Sequence, residues 1–417
     1  MSKIKLVRSN EVIDSRGNPT IETFCELEGG IVARASVPSG ASTGVHEALE
    51  LRDHDHKRYN GMGVLNAVKN TNNEINRGIK GKDFNQKTLD AYLVDLDGTE
   101  NKSRLGANSI LSVSLAFARA VAEEEKLELY EYLGGLVGTH NFKLPQPMFN
   151  IINGGKHADS GLDIQEFMIG PVGFGTFREK VQTAAEVISA LRNILKNKRY
   201  AISVGDEGGF APRLSSNEEA FELIIQAIKN SGHSTSTVKI GIDAAASSFY
   251  GNGSYMLKIS GKIKMMNDGD MVNWYEKLVD MYPIISIEDG LAEESWQGFT
   301  LMTKNLGDRI KIVGDDLLVT NVKRITTAIE LKAVNSVLIK LNQIGTLSET
   351  IEAIKLTKKS NWAPFISHRS GETTDTFIAD LAVGLSCDYI KSGSLVRGER
   401  VCKYNRLVEI ESCLLKT

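Results

Sequence analysis

Six short apolar runs in the second half of the chain each end on a residue that can bind a cation, move a proton or hold an anion. Lys239-Ile240-Gly241-Ile242 ends at Asp243, Ile284 to Ile287 at Glu288-Asp289, and Ile310 to Gly314 at Asp315-Asp316. Val337-Leu338-Ile339 runs into Lys340, Phe365-Ile366-Ser367 into His368-Arg369, and Tyr389-Ile390 into Lys391. Asp243, Glu288 and Asp315 offer three hard oxygen donors with no cysteine or histidine at a matching strand end, a set that suits Mg²⁺. The competing reading, strand-end acids that cap the following helices, holds for one acid more easily than for three together. Alternation along a strand puts Leu338, Lys340 and Asn342 on one face. A lone lysine there is costly unless it points into a polar mouth, where burial and nearby metal charge would favour the neutral amine that a general base needs. The alternative is a lysine snorkelling at a rim.

Three further segments add to this set. Val204-Gly205-Asp206-Glu207-Gly208-Gly209-Phe210 places two acids between glycines, a turn able to hold Glu207 rigidly at a ligand. Ser367-His368-Arg369-Ser370-Gly371-Glu372 precedes a helical stretch from Asp375 to Leu385, and a guanidinium, a hydroxyl and helix N-terminal amides are the parts of a phosphate site. Pro38-Ser39-Gly40-Ala41-Ser42-Thr43-Gly44 resembles a phosphate cradle but lacks the Gly-Lys-Ser/Thr ending of a P-loop, and reads as a mobile lid.

The elements that must position these groups follow from spacing. Glu288, Asp315, Lys340, His368 and Lys391 are separated by 27, 25, 28 and 23 residues, about one strand-plus-helix unit each. Amphipathic stripes such as Leu347, Ile351, Ile354 fill the gaps. The expectation is a (β/α)₈ barrel, whose strand C-termini converge on one mouth. The first 125 or so residues differ. Three strands (4–14, 20–27, 31–37) form an antiparallel meander, followed by helical stripes through Val64 to Ile79, Leu89 to Leu96 and Ala107 to Glu125, an α+β pattern. Gly134, Gly135, Gly138, Pro145 and Pro147 mark the joint, giving expected domains 1–140 and 141–417.

Composition fits an ordinary folded protein whose default partners are small molecules. The 417 residues are 41% apolar and 24% charged, with a net charge of -3, so there is no electrostatic footprint for nucleic acid and no polybasic membrane anchor. The start, MSKIKLVRSNEVID, has no apolar h-region, and the four cysteines show no CxxC spacing. The expectation is a cytoplasmic protein without a membrane span.

The sequence resembles the enolase family over essentially all of its length. The resemblance rests on DSRGNPT (14–20), PSGASTG (38–44), NIINGGKHAD (150–159), QEFM (165–168), GDEGGFAP (205–212), SIEDG (286–290), GDD (314–316), KLNQIGT (340–346), SHRSGE (367–372) and KYNRL (403–407). It implies a smaller N-terminal α+β domain carrying the lid and a modified TIM-like barrel of order ββαα(βα)₆. The activity implied is the reversible, Mg²⁺-dependent dehydration of 2-phosphoglycerate to phosphoenolpyruvate. Asp243, Glu288 and Asp315 would hold one Mg²⁺, and a second, arriving with substrate, would use Ser42. Lys340 would be the proton acceptor and Glu207 the proton donor. Arg369 and Ser370 would hold the phosphate and Lys391 the carboxylate, while His157, Gln165, Glu166 and His368 line a pocket that Glu288 and Asp315 also share. The chain departs from the family pattern at Ser248 and at Val396-Arg397-Gly398.

The resemblance further implies a homo-oligomer, a dimer or an octamer. Two other readings stay open: a superfamily relative acting on another carboxylic acid, against which the intact SHRS segment speaks, and a surface or secreted binding protein with plasminogen or RNA-processing partners. The chain ends Leu415-Lys416-Thr417 and so offers no C-terminal lysine for one plasminogen-binding mode.

Overall fold

A computed structural model describes residues 1–417 apart from 41–43, 45, 159, 260–261 and 417. Strands β1 (Ser2–Ile13), β2 (Pro19–Leu27) and β3 (Val32–Ser36) form the expected antiparallel meander. A fourth strand, β4 (Asp83–Phe84), joins the free edge of β1, a two-residue pairing too short to leave a pattern in the sequence. The stripe from Val64 to Ile79 is not one regular helix. Leu65–Asn70 and Asn76–Ile79 are α-helical around a π-turn, Thr71–Ile75, where the Asn72 and Asn76 side chains accept the amides of Ser9 and Val7 on β1. Helices Gln86–Asp97 and Ala107–Glu124 follow, as their apolar periodicity predicts.

The barrel closes in the order β11-β12-β13-β14-β15-β5-β6-β7. Its strands are β5 (Gln146–Asn153), β6 (Glu166–Pro171), β7 (Val238–Asp243), β11 (Ile284–Glu288), β12 (Lys311–Gly314), β13 (Ser336–Ile339), β14 (Ala363–Ser367) and β15 (Tyr389–Lys391). The short strands β8 (Tyr250–Gly251), β9 (Ser254–Ile259) and β10 (Lys262–Met266) form a separate sheet after β7. The regular (β/α)₈ reading fails at the start. Among the described residues no crossover helix lies between β5 and β6, so β6 runs antiparallel to both neighbours, and two helices, Phe177–Asn197 and Asn217–Asn230, then lead to β7. The observed order is ββαα(βα)₆.

Period-two alternation of the strands builds the interior. Outward residues such as Ile240, Ile242, Ile312, Val337, Ile366 and Ile390 join the main core under the helices. Inward residues Met148, Met168, Val313, Leu338, Phe365 and Tyr389 form a separate apolar plug, with the Phe365 and Tyr389 rings stacked at 4.0 Å. The next inward position toward the mouth is polar on every strand of the plug: Asn150, Glu166, Asp315, Lys340, Ser367 and Lys391. Dry plug below and charged layer above are thus the same pattern read two residues apart. Among the described residues, no helix is long and apolar enough to cross a membrane.

Candidate active site

Register aligns the first carboxylates. Glu166 on β6 and Glu288 on β11 both lie beside Asp243 on β7, and Asp315 follows β12, the next strand round. The Lys391 ammonium sits among them, 2.7 Å from Glu288 Oε1 and 3.5 Å from both Asp243 Oδ2 and Glu166 Oε2. Asp315 pairs with the Lys340 ammonium and accepts the Gln343 amide at 2.9 Å, while Gln165 donates to Asp243 at 3.3 Å. Burial, and then the charge of Asp243, push the Glu288 carboxyl well above its usual range despite Lys391.

Lys340 departs from the sequence reading in two ways. Burial does pull its pKa down, but the Asp315 carboxylate more than restores it, so the net direction is up and the amine is charged in this arrangement. Nor does its strand continue to Asn342: β13 stops at Ile339, and Leu341–Ile344 is a single helical turn closed by Gly345 at φ +98°. That turn carries Gln343 to Asp315 and Asn342 to Arg369, contacts that a straight strand would not make.

The acid set fits a hard divalent cation. Eight carboxyl groups, Glu47, Glu166, Glu207, Asp243, Glu288, Asp289, Asp315 and Asp316, meet four cationic side chains, Lys340, Arg369, Lys391 and Arg400, around one mouth. Asp289, Asp315 and Asp316 bring carboxylate oxygens within 4.8 Å of one another. Asp316 is pushed up to about 7 by burial and the Asp315 charge, a sign of negative charge in excess. Buried hard oxygens in surplus over their counter-charges suit a hard divalent cation. Ser42, expected to serve a second Mg²⁺, lies outside the described residues.

Glu207 sits on the tight turn whose ends, Gly205 N–H and Gly209 C=O, bond at 2.9 Å. Gly208 adopts φ +87°, and a Cβ there would press on Val396 and Ser394, so only glycine fits. Around the Glu207 carboxylate stand Asn150 Nδ2 at 3.2 Å, His368 Nε2 at 3.3 Å, Ser370 Oγ at 3.4 Å and His157 Nδ1 at 3.7 Å. His157 Nδ1 is also 3.7 Å from Glu166. Burial and the Glu207 charge drive Glu166 well above the carboxyl range. Burial opposes ionisation of Glu207 too, but His157, His368 and Arg400 overcome it and hold Glu207 well below. The two neighbouring acids are therefore pushed in opposite directions, Glu166 toward its protonated form and Glu207 toward its ionised one.

At the anion end, Arg369 bonds in a fork to Glu47 of the N-terminal unit, at 3.0 and 3.2 Å, and to Asn342 Oδ1 at 2.8 Å. Ser39, at the base of the lid segment, forms a two-way backbone bridge with Gly371, 2.7 and 2.9 Å. Gly371 is needed for that approach, since a Cβ would collide with Ser39 and Asp14. Ser15 adds a backbone bond to the Glu372 carbonyl at 2.7 Å.

One pocket is lined by His157, Gln165, Glu166, Glu207, Asp243, Asp315, Lys340, His368, Arg369, Ser370 and Lys391, and Glu288 reaches it through Lys391. Of the sequence-expected residues, only Ser42 is not placed by the structure. Glu47, Asn150 and Arg400 were not expected. Asn150 could have been found as the inward residue two beyond Met148, and Glu47 as an acid beside the lid, whereas Arg400, on a helix, leaves no strand-end signal. Ser248 is exposed and touches none of this, while Val396 packs against Gly208.

Comparison with known families agrees with the geometry. The model for "Enolase, N-terminal domain" matches residues 4–133, and that for "Enolase, C-terminal TIM barrel domain" matches residues 141–417.

Proposed function

We propose a reaction from the premise that the chain belongs to the enolase family, and so is a lyase of the enolase superfamily. The reaction is the reversible dehydration of 2-phosphoglycerate to phosphoenolpyruvate with Mg²⁺. The observation that carries this reading is an opposition of proton acceptor and proton source. Lys340 follows β13, and Glu166 lies on β6, four strands away in either direction round the eight-stranded barrel. Glu207 stands beside Glu166, so a substrate in the mouth meets the amine on one face and the acid pair on the other.

The chemical difficulty is the C2 proton, whose removal puts a second negative charge beside a carboxylate. Asp243, Glu288 and Asp315 would hold one Mg²⁺ and Ser42 would serve a second, and such ions supply electrostatic stabilisation of that developing charge. Lys391, buried among acids, orients the substrate carboxylate. Arg369 and Ser370 hold the phosphate, with Arg369 exchanging its Glu47 partner for the stronger charge. With Asp315 given over to a cation, Lys340 loses the carboxylate that keeps it charged, and, once neutral, it takes the C2 proton while the C2–H electrons form the C2=C3 bond and the C3–O bond breaks. Glu207, taking a proton from the neighbouring Glu166, delivers it to the departing hydroxide, which leaves as water.

Purified protein with Mg²⁺ should convert 2-phosphoglycerate to phosphoenolpyruvate, followed by the ultraviolet absorbance of the product, and EDTA should abolish the signal. No conversion with Mg²⁺ present overturns the reading.

A further inference from the structure

One cation at the mouth has no part in the steps above. Arg400, in the first turn of helix Gly398–Leu414, is 0% exposed. Its Nη1 lies 2.7 Å from His368 Nδ1 and 2.6 Å from the Arg369 carbonyl. Its Nη2 lies 2.6 Å from the Ser370 carbonyl, 3.2 Å from the Asp206 carbonyl and 3.4 Å from Ser15 Oγ. A single side chain thus joins the turn bearing Glu207 to the loop bearing His368, Arg369 and Ser370.

The chemistry of the His368 contact is one-directional. A guanidinium has donors only, so Nδ1 must accept, and a neutral imidazole then carries its proton on Nε2. Burial keeps the ring neutral, lowering its pKa to about 4 even though Glu207 opposes the shift. Nε2 lies within reach of Glu207 Oε2, at 3.3 Å, though it makes no hydrogen bond in this arrangement. We propose that Arg400 is a positioning residue for the dehydration: it fixes His368 as the Nε2–H tautomer, so that the imidazole presents a donor to Glu207.

A purely structural staple would look different, and the same helix supplies one. Lys403 is buried, pairs with Glu372 at 2.8 Å and donates to the Thr373 carbonyl at 2.7 Å. It braces the far end of the same loop without touching the imidazole. Lys403→Met is therefore the control for loss of a buried cation on this helix.

The test is ¹⁵N NMR of the imidazoles in the unliganded protein, joined to steady-state kinetics on 2-phosphoglycerate. His368 in the parent protein should be the Nε2–H tautomer at neutral pH. In Arg400→Met the ring should shift to the Nδ1–H form, and kcat should fall by roughly 100-fold with a much smaller change in KM. Lys403→Met should keep the parent tautomer and most of kcat. An unchanged tautomer in Arg400→Met, a loss confined to KM, or an equal loss of kcat in Lys403→Met each overturns the proposal. Should Arg400→Met not fold, a double-mutant cycle decides between the same alternatives. If Arg400 acts through His368, Arg400→Lys costs much less in a His368→Gln background than in the parent, and an undiminished cost overturns the proposal. The kinetic role rests on the proposed dehydration, but the tautomer measurement needs no substrate. Failure of the dehydration reading would leave the NMR result standing.

Discussion

Replacing Lys391 with methionine tests how the charged layer is held. The Lys391 side chain is 4% exposed and its ammonium lies among Glu166, Asp243 and Glu288, whose side chains are 3, 6 and 3% exposed. Methionine fills nearly the same volume, so the change isolates the charge. Removing one partner of a buried pair costs about 3–5 kcal/mol, because the remaining charges stay desolvated. At roughly 2.1 cal/mol/K of unfolding entropy per residue over 417 residues, cooperative unfolding would lower Tm by about 3–6 °C. The deficit should depend on pH. Glu166 and Glu288 already hold their protons above the ordinary carboxyl range, and without Lys391 they hold them more tightly. A carboxyl with a raised folded pKa contributes no penalty while both states are protonated, and the folded state loses stability as pH rises above the unfolded value of about 4.3. The variant should therefore fall further behind the parent protein at pH 8 than at pH 5. Circular-dichroism melts of both proteins in EDTA at the two pH values measure this. A Tm within 1 °C of the parent at pH 8, or a deficit that ignores pH, would refute the reasoning.

Three other outcomes follow from the same geometry. Mg²⁺ at 100 times its Kd should stabilise the protein by about 2.7 kcal/mol, a rise of about 3 °C in a melt, and the paired change Asp243→Asn with Glu288→Gln should abolish that rise. His368, lowered to about 4 from an unfolded value near 6.5, binds its proton later than the unfolded chain does, so stability is lost as pH falls from about 6.5 to 4. That loss is roughly 3 kcal/mol, and pH-dependent melts of His368→Gln should show a shallower fall over this window. Gly371→Ala should force the loop away from Ser39 and Asp14, costing about 1–3 kcal/mol in a urea titration and raising KM more than it lowers kcat.

What could be read in the sequence was what period-two alternation encodes. Asp243, Glu288, Asp315, Lys340 and Lys391 each close an apolar run because the strand that buries a plug residue points the next inward residue into the mouth. The antiparallel β6 was not legible from spacing, since β5 and β6 are joined by a loop that leaves no helical stripe. Arg400 was not legible either, because it reaches the mouth from a helix, where no strand register announces it, whereas Glu47 left only its place beside the lid segment as a signal. The protonation of Lys340 depends on a carboxylate 25 residues away in sequence, a pairing that only the closed barrel creates. Residues 41–43 of the lid segment, with Ser42, lie outside the described residues.

The central claim is that Lys340 removes a proton from a substrate held against the acid pair across the barrel. Its most direct test compares the parent protein with Lys340→Ala, both supplied with Mg²⁺ and 2-phosphoglycerate, in a coupled assay for phosphoenolpyruvate. The parent should form product steadily, and the variant should lose roughly 10²–10⁴-fold of that rate. Full activity in Lys340→Ala would contradict it.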